Sequence, residues 1–476
     1  MKTAVAFDFG ASSGRAIKAV FDKGKISYEE IHRFENIPVT VDGHIHHDVD
    51  MITAEIKKAL EKAGDIDSFA FDTWGVDYGL TDADGKLIFL PYHYRDGRTN
   101  GILAKAKKIM PPDELYRKTG NQIMPINTLF QLLTDENVQN ADTLLFMPDL
   151  FAYIFTGERA CEYTIASTSQ MLNPKTKEWS MEVLDKFGID KKLLAPLTKT
   201  SSVIGEYNGA KVISVAGHDT QCAVAAMPCT CGETPAFLSC GTWSLIGCEL
   251  DEPILTEQSN ALELSNELGA NGKIDYLKNI SGLWLIQELR RNLNSAGNEY
   301  SYNDLEQEAR KSEPFKCFID PDAPSLSSHG NLAEKIKNYC KNTNQPMPET
   351  VGEAVRCIYE SLALKYRYAI SQISKCTGKE FDVLHLLGGG TKDNFLCEMT
   401  ADCLNIPVVA GPVEATALGN IILQFIALGE IESVEQGREI IAENEKIYNY
   451  APNHNDSWDK AYEKYVNIIE NYKEEN

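Results

Sequence analysis

The fold is decided by the stretch Thr3-Ala-Val-Ala-Phe-Asp8-Phe-Gly10-Ala-Ser12-Ser13-Gly14-Arg15-Ala-Ile-Lys-Ala-Val-Phe21. Residues 4–7 are apolar and predict a buried strand, and apolar residues resume in alternation between positions 16 and 21. Gly10 and Gly14 permit a tight turn with exposed backbone N–H groups between these two segments. The stretch therefore predicts two strands joined by a polar turn.

The polar turn has a composition that suits phosphate binding. It runs from strand to strand, whereas the P-loop and the dinucleotide fingerprint run from a strand into a helix. Hydroxyls, backbone N–H groups and Arg15 would contact phosphate oxygens, and Asp8 at the base of the turn would hold Mg²⁺. An ordinary hairpin with a polar turn is the alternative that this stretch alone leaves open.

Length and charge narrow the class of protein. The 476 residues predict two or three domains, and 69 acidic against 46 basic residues give a formal charge of −23. This charge repels nucleic acid and anionic membrane surfaces, so an anionic ligand must be held by local donors. Asp8 interrupts the first apolar run, and we find no apolar run of about 18 residues. We therefore expect a cytoplasmic protein without nucleic-acid or membrane partners.

Twelve cysteines are scattered without paired C-x-x-C spacing. Several lie in apolar stretches, such as Cys357, Cys376 and Cys403, and we expect reduced core residues in preference to zinc ligands or disulfides. Cys229 and Cys231 lie in a predicted turn, where their response to oxidants stays open. His44, His46 and His47 resemble a metal cluster, but a solvated loop is the favoured interpretation.

The order of predicted elements indicates an α/β protein of two similar halves. A strand at 212–216 leads into Gly217-His218-Asp219-Thr220 and an Ala-rich helix, and residues 228–235 follow as a linker. Ala236–Gly247 then repeats the opening pattern of apolar strand, small polar turn and apolar strand. We predict domains at 1–228 and 235–450 with a ligand cleft between them, and a C-terminal helix within 451–476.

Other segments carry groups of potential chemical use. Asp219 stands where a strand gives way to a helix, which suits a base for a substrate hydroxyl or a plain N-cap. Residues 71–78 combine Trp74, Gly75 and carboxylates that suit a sugar, or form a plain strand end. The polar Asn127, Gln131 and Gln170 are expected mostly in surface loops. The glycines 388–390 permit close approach of a nucleotide's base or ribose.

Together these pieces resemble the FGGY carbohydrate kinase family of actin-like sugar kinases over almost the whole chain. The matching stretches are 8–15 (DFGASSGR), 72–77 (DTWGVD), 94–101 (YRDGRTNG), 239–245 (SCGTWSL), 279–287 and 410–420 (AGPVEATALGN). The resemblance implies an α/β fold of two actin-like (ribonuclease H-like) domains. It further implies that the first domain binds sugar and the second binds nucleotide.

The resemblance also implies an activity and its residues. The reaction would be ATP-dependent phosphorylation of L-rhamnulose at its 1-hydroxyl in rhamnose catabolism, with Asp219 as general base and Mg²⁺ bridging the phosphates near Asp8. The implied ATP contacts are Ala11, Ser12, Ser13, Gly14, Arg15, Thr242, Gln287 and Gly389. The implied sugar contacts are Gly75, His218, Asp219, Thr220 and Asn279. Cys240 replaces a serine common in the family, so we expect altered packing there and assign no disulfide.

Alternatives remain open at this level. A kinase of another ketose, L-fuculose or L-xylulose, differs from the implied enzyme by few contacts, although Trp74 favours the 6-deoxy sugar. An actin-like ATPase would share the phosphate hairpins but would not need a base at Asp219. A non-catalytic sugar sensor would lack the phosphate-binding residues. A monomer or a small homo-oligomer is expected.

Overall fold

The computed structural model describes residues 1–10, 13–229 and 232–472. Two of the predicted ATP contacts, Ala11 and Ser12, lie outside these described residues, as does Cys231.

Residues 1–228 alternate strands and helices. The strands are β1 (Lys2–Phe9), β2 (Ser13–Asp22), β3 (Lys25–Glu35), β4 (Val39–Val41), β5 (His44–His46), β6 (Ser68–Thr73), β7 (Tyr78–Thr81), β8 (Thr143–Phe146), β9 (Cys161–Glu162), β10 (Leu172–Asn173), β11 (Glu178–Trp179), β12 (Leu197–Thr198), β13 (Ser202–Tyr207) and β14 (Ala210–Ser214). The helices are α1 (Val49–Ala63), α2 (Ile102–Ile109), α3 (Pro112–Thr119), α4 (Thr128–Leu132), α5 (Met147–Thr156), α6 (Tyr163–Ala166), α7 (Met181–Phe187) and α8 (Asp219–Ala225).

The remaining residues continue this mixture of strands and helices. The strands are β15 (Pro235–Cys240), β16 (Trp243–Leu250), β17 (Ser265–Leu268), β18 (Ile274–Ser281), β19 (Val383–Leu387), β20 (Val408–Ala410) and β21 (Tyr448–Tyr450). The helices are α9 (Glu257–Ala261), α10 (Trp284–Ser295), α11 (Tyr302–Lys311), α12 (Leu332–Asn342), α13 (Val351–Thr377), α14 (Asn394–Leu404), α15 (Ala415–Ala427), α16 (Val434–Asn444) and α17 (Asp456–Asn471).

Contacts divide the chain into two compact units that interleave along the sequence. The first unit contains residues 1–228, 249–277 and 414–445. The second contains residues 229–248, 278–413 and the segment from Lys446 onward. The predicted domains are continuous in sequence, whereas each compact unit contains three separate segments. The domain boundaries, and the assignment of sugar to the first domain and nucleotide to the second, stay predictions.

The sheet of the first unit has the strand order β13-β14-β6-β1-β2-β3. The opening stretch forms the antiparallel β1–β2 pair that the sequence predicted, and the N–H of Gly10 donates to the carbonyl of Ser13 at 2.8 Å across the turn. Strands β1, β6 and β14 are parallel. Their carboxyl ends therefore lie at one edge of the sheet, where functional groups of α/β sheets gather.

Helices α8 and α15 pack closely within the first unit. Gly419 makes this possible, because a Cβ atom there would lie 1.8 Å from the carbonyl oxygen of Cys222. The adjoining core is apolar and includes Ala70, Ile213 and Leu423. The start of α8, at Asp219, is thus fixed by a helix that is distant in the sequence.

In the second unit, strands β16, β15, β19, β20 and β21 lie side by side in that order. Strand β15 pairs antiparallel with β16 and parallel with β19, as β1 does with β2 and β6. The long helix α13 begins with a capping box in which Thr350 and Glu353 bond each other's backbone N–H groups. The second half therefore repeats the hairpin device of the first, as predicted.

No helix in the described part of the chain is long and apolar enough to cross a membrane.

Candidate active site

Three carboxylates meet at the carboxyl edge of the first unit's sheet. The parallel pairing of β1 with β6 sets Asp8 opposite Asp72, and Asp219 opens α8 shortly after β14. A backbone bond from the N–H of Thr73 to the carbonyl of Gly217, 2.9 Å long, ties the end of β6 to the start of α8. Adjacent strand ends therefore concentrate negative charge at one place.

Asp8 is held by a cation from its own hairpin. Arg15 Nη2 donates to Asp8 Oδ2 at 2.5 Å, and Arg15 Nη1 donates to Glu414. Burial alone would lower the pKa of Arg15, but the two carboxylates outweigh it and the pKa is raised. Arg15, a predicted ATP contact, is thus a fixed positive charge between two acids. Glu414 was not predicted as a site residue.

Asp72 is fully buried at the centre of this edge. Its Oδ2 accepts from Asn420 Nδ2 at 2.6 Å, and Asn420 is held in turn by Gln424. Its Oδ1 has no hydrogen-bond partner among the described residues. Burial, and next the charge of Asp8, raise the pKa of Asp72 well above its usual range. The cluster therefore has more negative charge than its local donors neutralise.

Asp219 is a partly exposed carboxylate of this cluster. Its Oδ1 accepts from the N–H of Thr220 at 2.6 Å, and its side chain is 33% exposed. Its Oδ2 has no hydrogen-bond partner among the residues the structure describes. Because an N-cap side chain bonds the second or third N–H of a helix, and His218 precedes the helix here, the N-cap interpretation of Asp219 is wrong. Burial raises the pKa of Asp219, and His218 opposes this rise.

The predicted sugar contact Gly75 lies in a turn held by a buried carboxylate. Asp77 accepts from His47 Nε2 at 2.7 Å, Trp74 Nε1 at 2.9 Å and Gln131 Nε2 at 3.0 Å. Burial would raise the pKa of Asp77, but His47 and the other donors lower it below the ordinary value. A Cβ atom on Gly75 would approach Thr168 to 3.2 Å, so the turn also packs closely against its neighbour.

Several polar side chains are more buried than the sequence suggested. His46 and His47 were expected in a solvated loop, yet they are 1% and 0% exposed, so that expectation is wrong. The side chains expected in surface loops are buried as well, namely Asn127, Gln131 and Gln170. Trp74 is buried with its ring centroid 4.5 Å from that of His47 and does not present an open indole face. The partners of His47, Gln131 and Gln170 are distant in sequence, so the local pattern could not indicate that these side chains are buried.

The second unit repeats the hairpin with different side chains. Thr242 stands in the turn between β15 and β16, and its hydroxyl donates to Gln287 Oε1 on α10 at 3.4 Å. The N–H groups of Gly282 and Trp284 donate to the carbonyl of Thr242 at 3.1 and 3.2 Å. The structure thus brings the predicted residues Thr242 and Gln287 together at the start of α10. The predicted sugar contact Asn279 lies on β18 in the same unit.

The triple glycine follows β19 directly in the second unit. A Cβ atom on Gly389 would meet nothing within 4 Å, whereas one on Gly390 would lie 2.3 Å from the sulfur of Cys240. Gly389 therefore borders open space and Gly390 borders packed side chains. The thiol of Cys240 fills the gap that Gly390 leaves, and Ser244 Oγ and Tyr366 Oη bond each other beside it at 2.8 Å.

Cysteines are mostly buried, as the sequence predicted, although Cys229 and Cys376 are partly exposed. The thiol sulfurs of Cys317, Cys340 and Cys357 lie within 4.8 Å of one another in the second unit. No disulfide joins the cysteines of the described ranges.

The remaining predicted residues can also be assigned to one of the two units. Ser13 and Gly14 begin β2, and a Cβ atom on Gly14 would collide with the ring of Phe34. Thr220 is buried in the first turn of α8. The first unit therefore holds the carboxylate cluster, Gly75 and residues 218–220, and the second holds Thr242, Asn279, Gln287 and Gly389.

The fold is found in proteins of known structure. The fold is shared by the solved structure of gluconate kinase from Lactobacillus acidophilus, with a TM-score of 0.77 and 19% sequence identity over 99% of this chain and 96% of that chain. It is also shared by the solved structure of glycerol kinase with ADP from Plasmodium falciparum, with a TM-score of 0.78 and 14% identity over 100% of this chain and 99% of that chain. The two-domain α/β fold of carbohydrate kinases, predicted from the sequence, is thereby confirmed.

Sequence comparisons define the family. The models of the N-terminal and C-terminal domains of the FGGY family of carbohydrate kinases match residues 3–227 and 236–428. Rhamnulokinase of Bacteroides thetaiotaomicron is 39% identical over 98% of this chain and 99% of the relative. Rhamnulokinase of Enterococcus faecalis is 39% identical over 92% of each chain. Rhamnulokinase of Bacillus subtilis is 36% identical over 94% of this chain and 95% of the relative. The chain belongs to the FGGY family of carbohydrate kinases.

Proposed function

We propose that the protein transfers the γ-phosphoryl group of ATP to the 1-hydroxyl of L-rhamnulose, giving L-rhamnulose 1-phosphate and ADP. Relatives named rhamnulokinase match at 36–39% identity over more than nine-tenths of the chain. The observation that carries the mechanism is Asp219, a partly exposed carboxylate at the edge of the first unit's sheet, one oxygen of which accepts from the N–H of Thr220. Because cells keep the donor ATP in the cytoplasm, we place the reaction there.

In this proposal Asp219 orients the sugar's nucleophile. Its Oδ2 accepts a hydrogen bond from the 1-hydroxyl, whose oxygen attacks the γ-phosphorus as the bond to the β,γ-bridging oxygen breaks. The hydroxyl proton passes to Asp219 late in a loose transition state, so orientation matters more than basicity. Thr220 N–H fixes the other oxygen, which keeps the carboxylate aimed.

Mg²⁺ fits the carboxylate cluster. The cluster offers only oxygen donors, one buried oxygen of Asp72 lacks a partner among the described residues, and hard oxygen donors are what Mg²⁺ prefers. Asp8 would hold the ion, with Asp72 behind it. When bound, the ion would neutralise charge on the phosphates of ATP. Arg15 supplies a fixed positive charge at the same edge, clamped by Asp8 and Glu414.

The proposed nucleotide contacts of the second unit lead to a matched pair of substitutions. Gly389→Ala places a methyl group in open space, so the fold should be unaffected, but a nucleotide that lies there should bind about tenfold more weakly, or about 1.4 kcal/mol. Gly390→Ala places the methyl against Cys240 and should lower stability by about 1–3 kcal/mol. Thermal unfolding and KM for ATP check both. An unchanged KM in Gly389→Ala would remove Gly389 from the nucleotide site.

A panel of acceptors tests the proposed substrate. ADP release from Mg-ATP is followed with L-rhamnulose, L-fuculose, L-xylulose and glycerol at equal concentrations. We expect kcat/KM for L-rhamnulose to exceed that for each other acceptor by at least about tenfold, because one methyl or hydroxyl contact contributes about 1–3 kcal/mol. Preference for another ketose would replace the substrate and keep the reaction. ATP hydrolysis that needs no acceptor would instead indicate an actin-like ATPase.

A further inference from the structure

Asp322 is a carboxylate of the second unit that no motif of the sequence indicated. It lies between α11 and α12, and its side chain is 30% exposed. Its Oδ1 accepts from the N–H of Ser281 at 2.7 Å, and its Oδ2 lies 2.9 Å from Lys365 Nζ. Lys365 is buried on α13 and also pairs with Asp320 at 2.8 Å. The carboxylate of Asp322 therefore links α13 to Ser281, the last residue of β18.

Ser281 begins the turn that joins β18 to α10. The N–H groups of residues 282–284 donate to two carbonyls of the β15–β16 hairpin turn, including that of Thr242, at 2.9 to 3.2 Å. The N–H of Ser281 donates to the carboxylate instead, and this bond is the shortest of the four. A Cβ atom on Gly282 would lie 2.5 Å from Ser244 Oγ, so the turn is packed closely against the hairpin. A shift of the turn would therefore displace the hairpin as well.

The turn sets the position of two proposed ATP contacts. It holds Thr242 by its carbonyl, and the hydroxyl of Thr242 donates to Gln287 Oε1 at 3.4 Å. Gln287 lies in the first turn of α10, and its N–H donates to the carbonyl of Leu283 at 2.9 Å. Because α10 begins at Trp284, a displacement of the turn would be passed on to both side chains.

We propose that Asp322 is a positioning residue for the nucleotide, holding the turn at Ser281 so that Thr242 and Gln287 keep the arrangement in which ATP contacts them. The inference rests on the proposed function, since it concerns the ATP contacts assigned there. In this role Asp322 acts through the turn and not on the nucleotide itself. A purely structural role, in which the carboxylate only neutralises Lys365, is the alternative that the test must separate.

The two acids beside Lys365 allow the bond to Ser281 to be separated from the ion pair. Asp322→Ala removes one carboxylate from Lys365 and the acceptor of the Ser281 N–H. Asp320→Ala is the matched control, because it also removes one carboxylate from Lys365 and one backbone acceptor, that of the Asp322 N–H at 3.1 Å. Each variant leaves Lys365 with one carboxylate, so the buried ammonium group stays paired. The two variants therefore differ in whether the turn is released.

Steady-state ADP release by the two full-length variants tests the inference. Asp322→Ala should raise KM for ATP about tenfold with a smaller change in kcat, and Asp320→Ala should change KM for ATP by about twofold or less. A purely structural role would lower the thermal stability and the active fraction of both variants, and thus kcat, but would leave KM for ATP unchanged. An unchanged KM in a folded Asp322→Ala, or an equal rise in both variants, would overturn the positioning role.

Hydrogen exchange of the unmodified enzyme keeps the proposal falsifiable if Asp322→Ala does not fold. The N–H of Ser281 should exchange as slowly as those of residues 282–284, and bound ADP should slow it further, since the nucleotide orders the same turn. A Ser281 N–H that exchanges like an exposed amide, or that ADP leaves unchanged, would overturn the proposal. Gln287→Ala separates the two levels: if that variant keeps its KM for ATP, the proposed nucleotide contact is wrong, whatever Asp322 does.

Discussion

The expected result of the substitution Asp219→Asn is a fall in kcat of at least about a thousandfold, with little change in the affinity for sugar and ATP. General base catalysis typically contributes 10²–10⁴-fold, and the amide cannot take the proton of the hydroxyl. The side chains have nearly equal size, and the oxygen that accepts from Thr220 N–H at 2.6 Å can be retained by the amide. Steady-state ADP release and calorimetric binding of each substrate measure the two quantities.

The pH dependence of the unmodified enzyme provides a second measure of the same residue. Asp219 must be ionised to act as a base, and burial raises its pKa above the ordinary value of an aspartate. The rate should therefore fall as the pH drops through this raised pKa, and it should be constant above it until another group titrates. The residual rate of Asp219→Asn should lack this limb.

Asp67→Asn is the control for the removal of a carboxylate. Asp67 lies in the same unit, but its carboxylate accepts from Lys2 Nζ and the N–H of Thr3, at 2.9 and 2.8 Å. A partly exposed surface pair contributes about 1 kcal/mol or less to stability, so Asp67→Asn should stay folded. The kcat of this variant should stay within about twofold of that of the unmodified enzyme. An Asp219→Asn variant that keeps a tenth of the normal rate would remove Asp219 from the role of base.

The sequence predicted the parts of the site that local pattern controls. Apolar residues 4–7 and the polar turn after Asp8 have the alternation of a hairpin, and the structure has β1 and β2 there. Parallel pairing then sets Asp8 opposite Asp72, which follows from the topology of such a sheet. His218 and Asp219 were found because a strand and a small-residue helix enclose them. The hairpin and the segment 218–219 depend on neighbours within about ten residues, whereas the pairing of Asp8 with Asp72 depends on the tertiary fold.

The sequence could not predict contacts between distant residues. Glu414 reaches Arg15 across 399 positions, and Asn420 reaches Asp72 across 348. Glu414 and Asn420 lie in the family stretch 410–420, but nothing in the local sequence indicates that Arg15 and Asp72 are their partners. His47 and Gln131 were misplaced for the same reason, because their burial depends on Asp77. A polar residue is buried when a partner satisfies it, and only the tertiary fold supplies that partner.

Arg438→Met should lower the free energy of unfolding by about 3–5 kcal/mol, the usual loss when one partner of a buried ion pair is removed. Arg438 is 5% exposed on α16 and donates to both oxygens of Glu249, at 2.9 and 3.0 Å. It also donates to the carbonyl of Val224 at 2.9 Å. The substitution strands the Glu249 charge and this carbonyl within the first unit. Urea-induced unfolding at pH 7 measures the loss.

The loss of unfolding free energy in Arg438→Met should become smaller as the pH falls. Burial would raise the pKa of Glu249, but Arg438 outweighs it and the pKa is lowered, so the pair stabilises the native enzyme above the ordinary glutamate range and loses this contribution on acidification. Without Arg438 the largest influence that lowers the pKa of Glu249 is lost, so burial should outweigh Asn271 and Lys273 and raise this pKa, and protonation should relieve the stranded charge. The difference between the two proteins should therefore narrow as the pH falls.

Arg310→Met is the matched control for Arg438→Met. Arg310 also contacts two carboxylates, Glu306 at 2.8 Å and Glu398 at 2.9 Å, but its side chain is 33% exposed, so solvent screens the pairs. Its loss should be about 1 kcal/mol or less and should hardly vary with pH. Equal losses in the two variants would mean that burial adds nothing to the Arg438–Glu249 pair. A larger loss confined to Arg438→Met, and shrinking in acid, would identify the uncompensated buried charge as its cause.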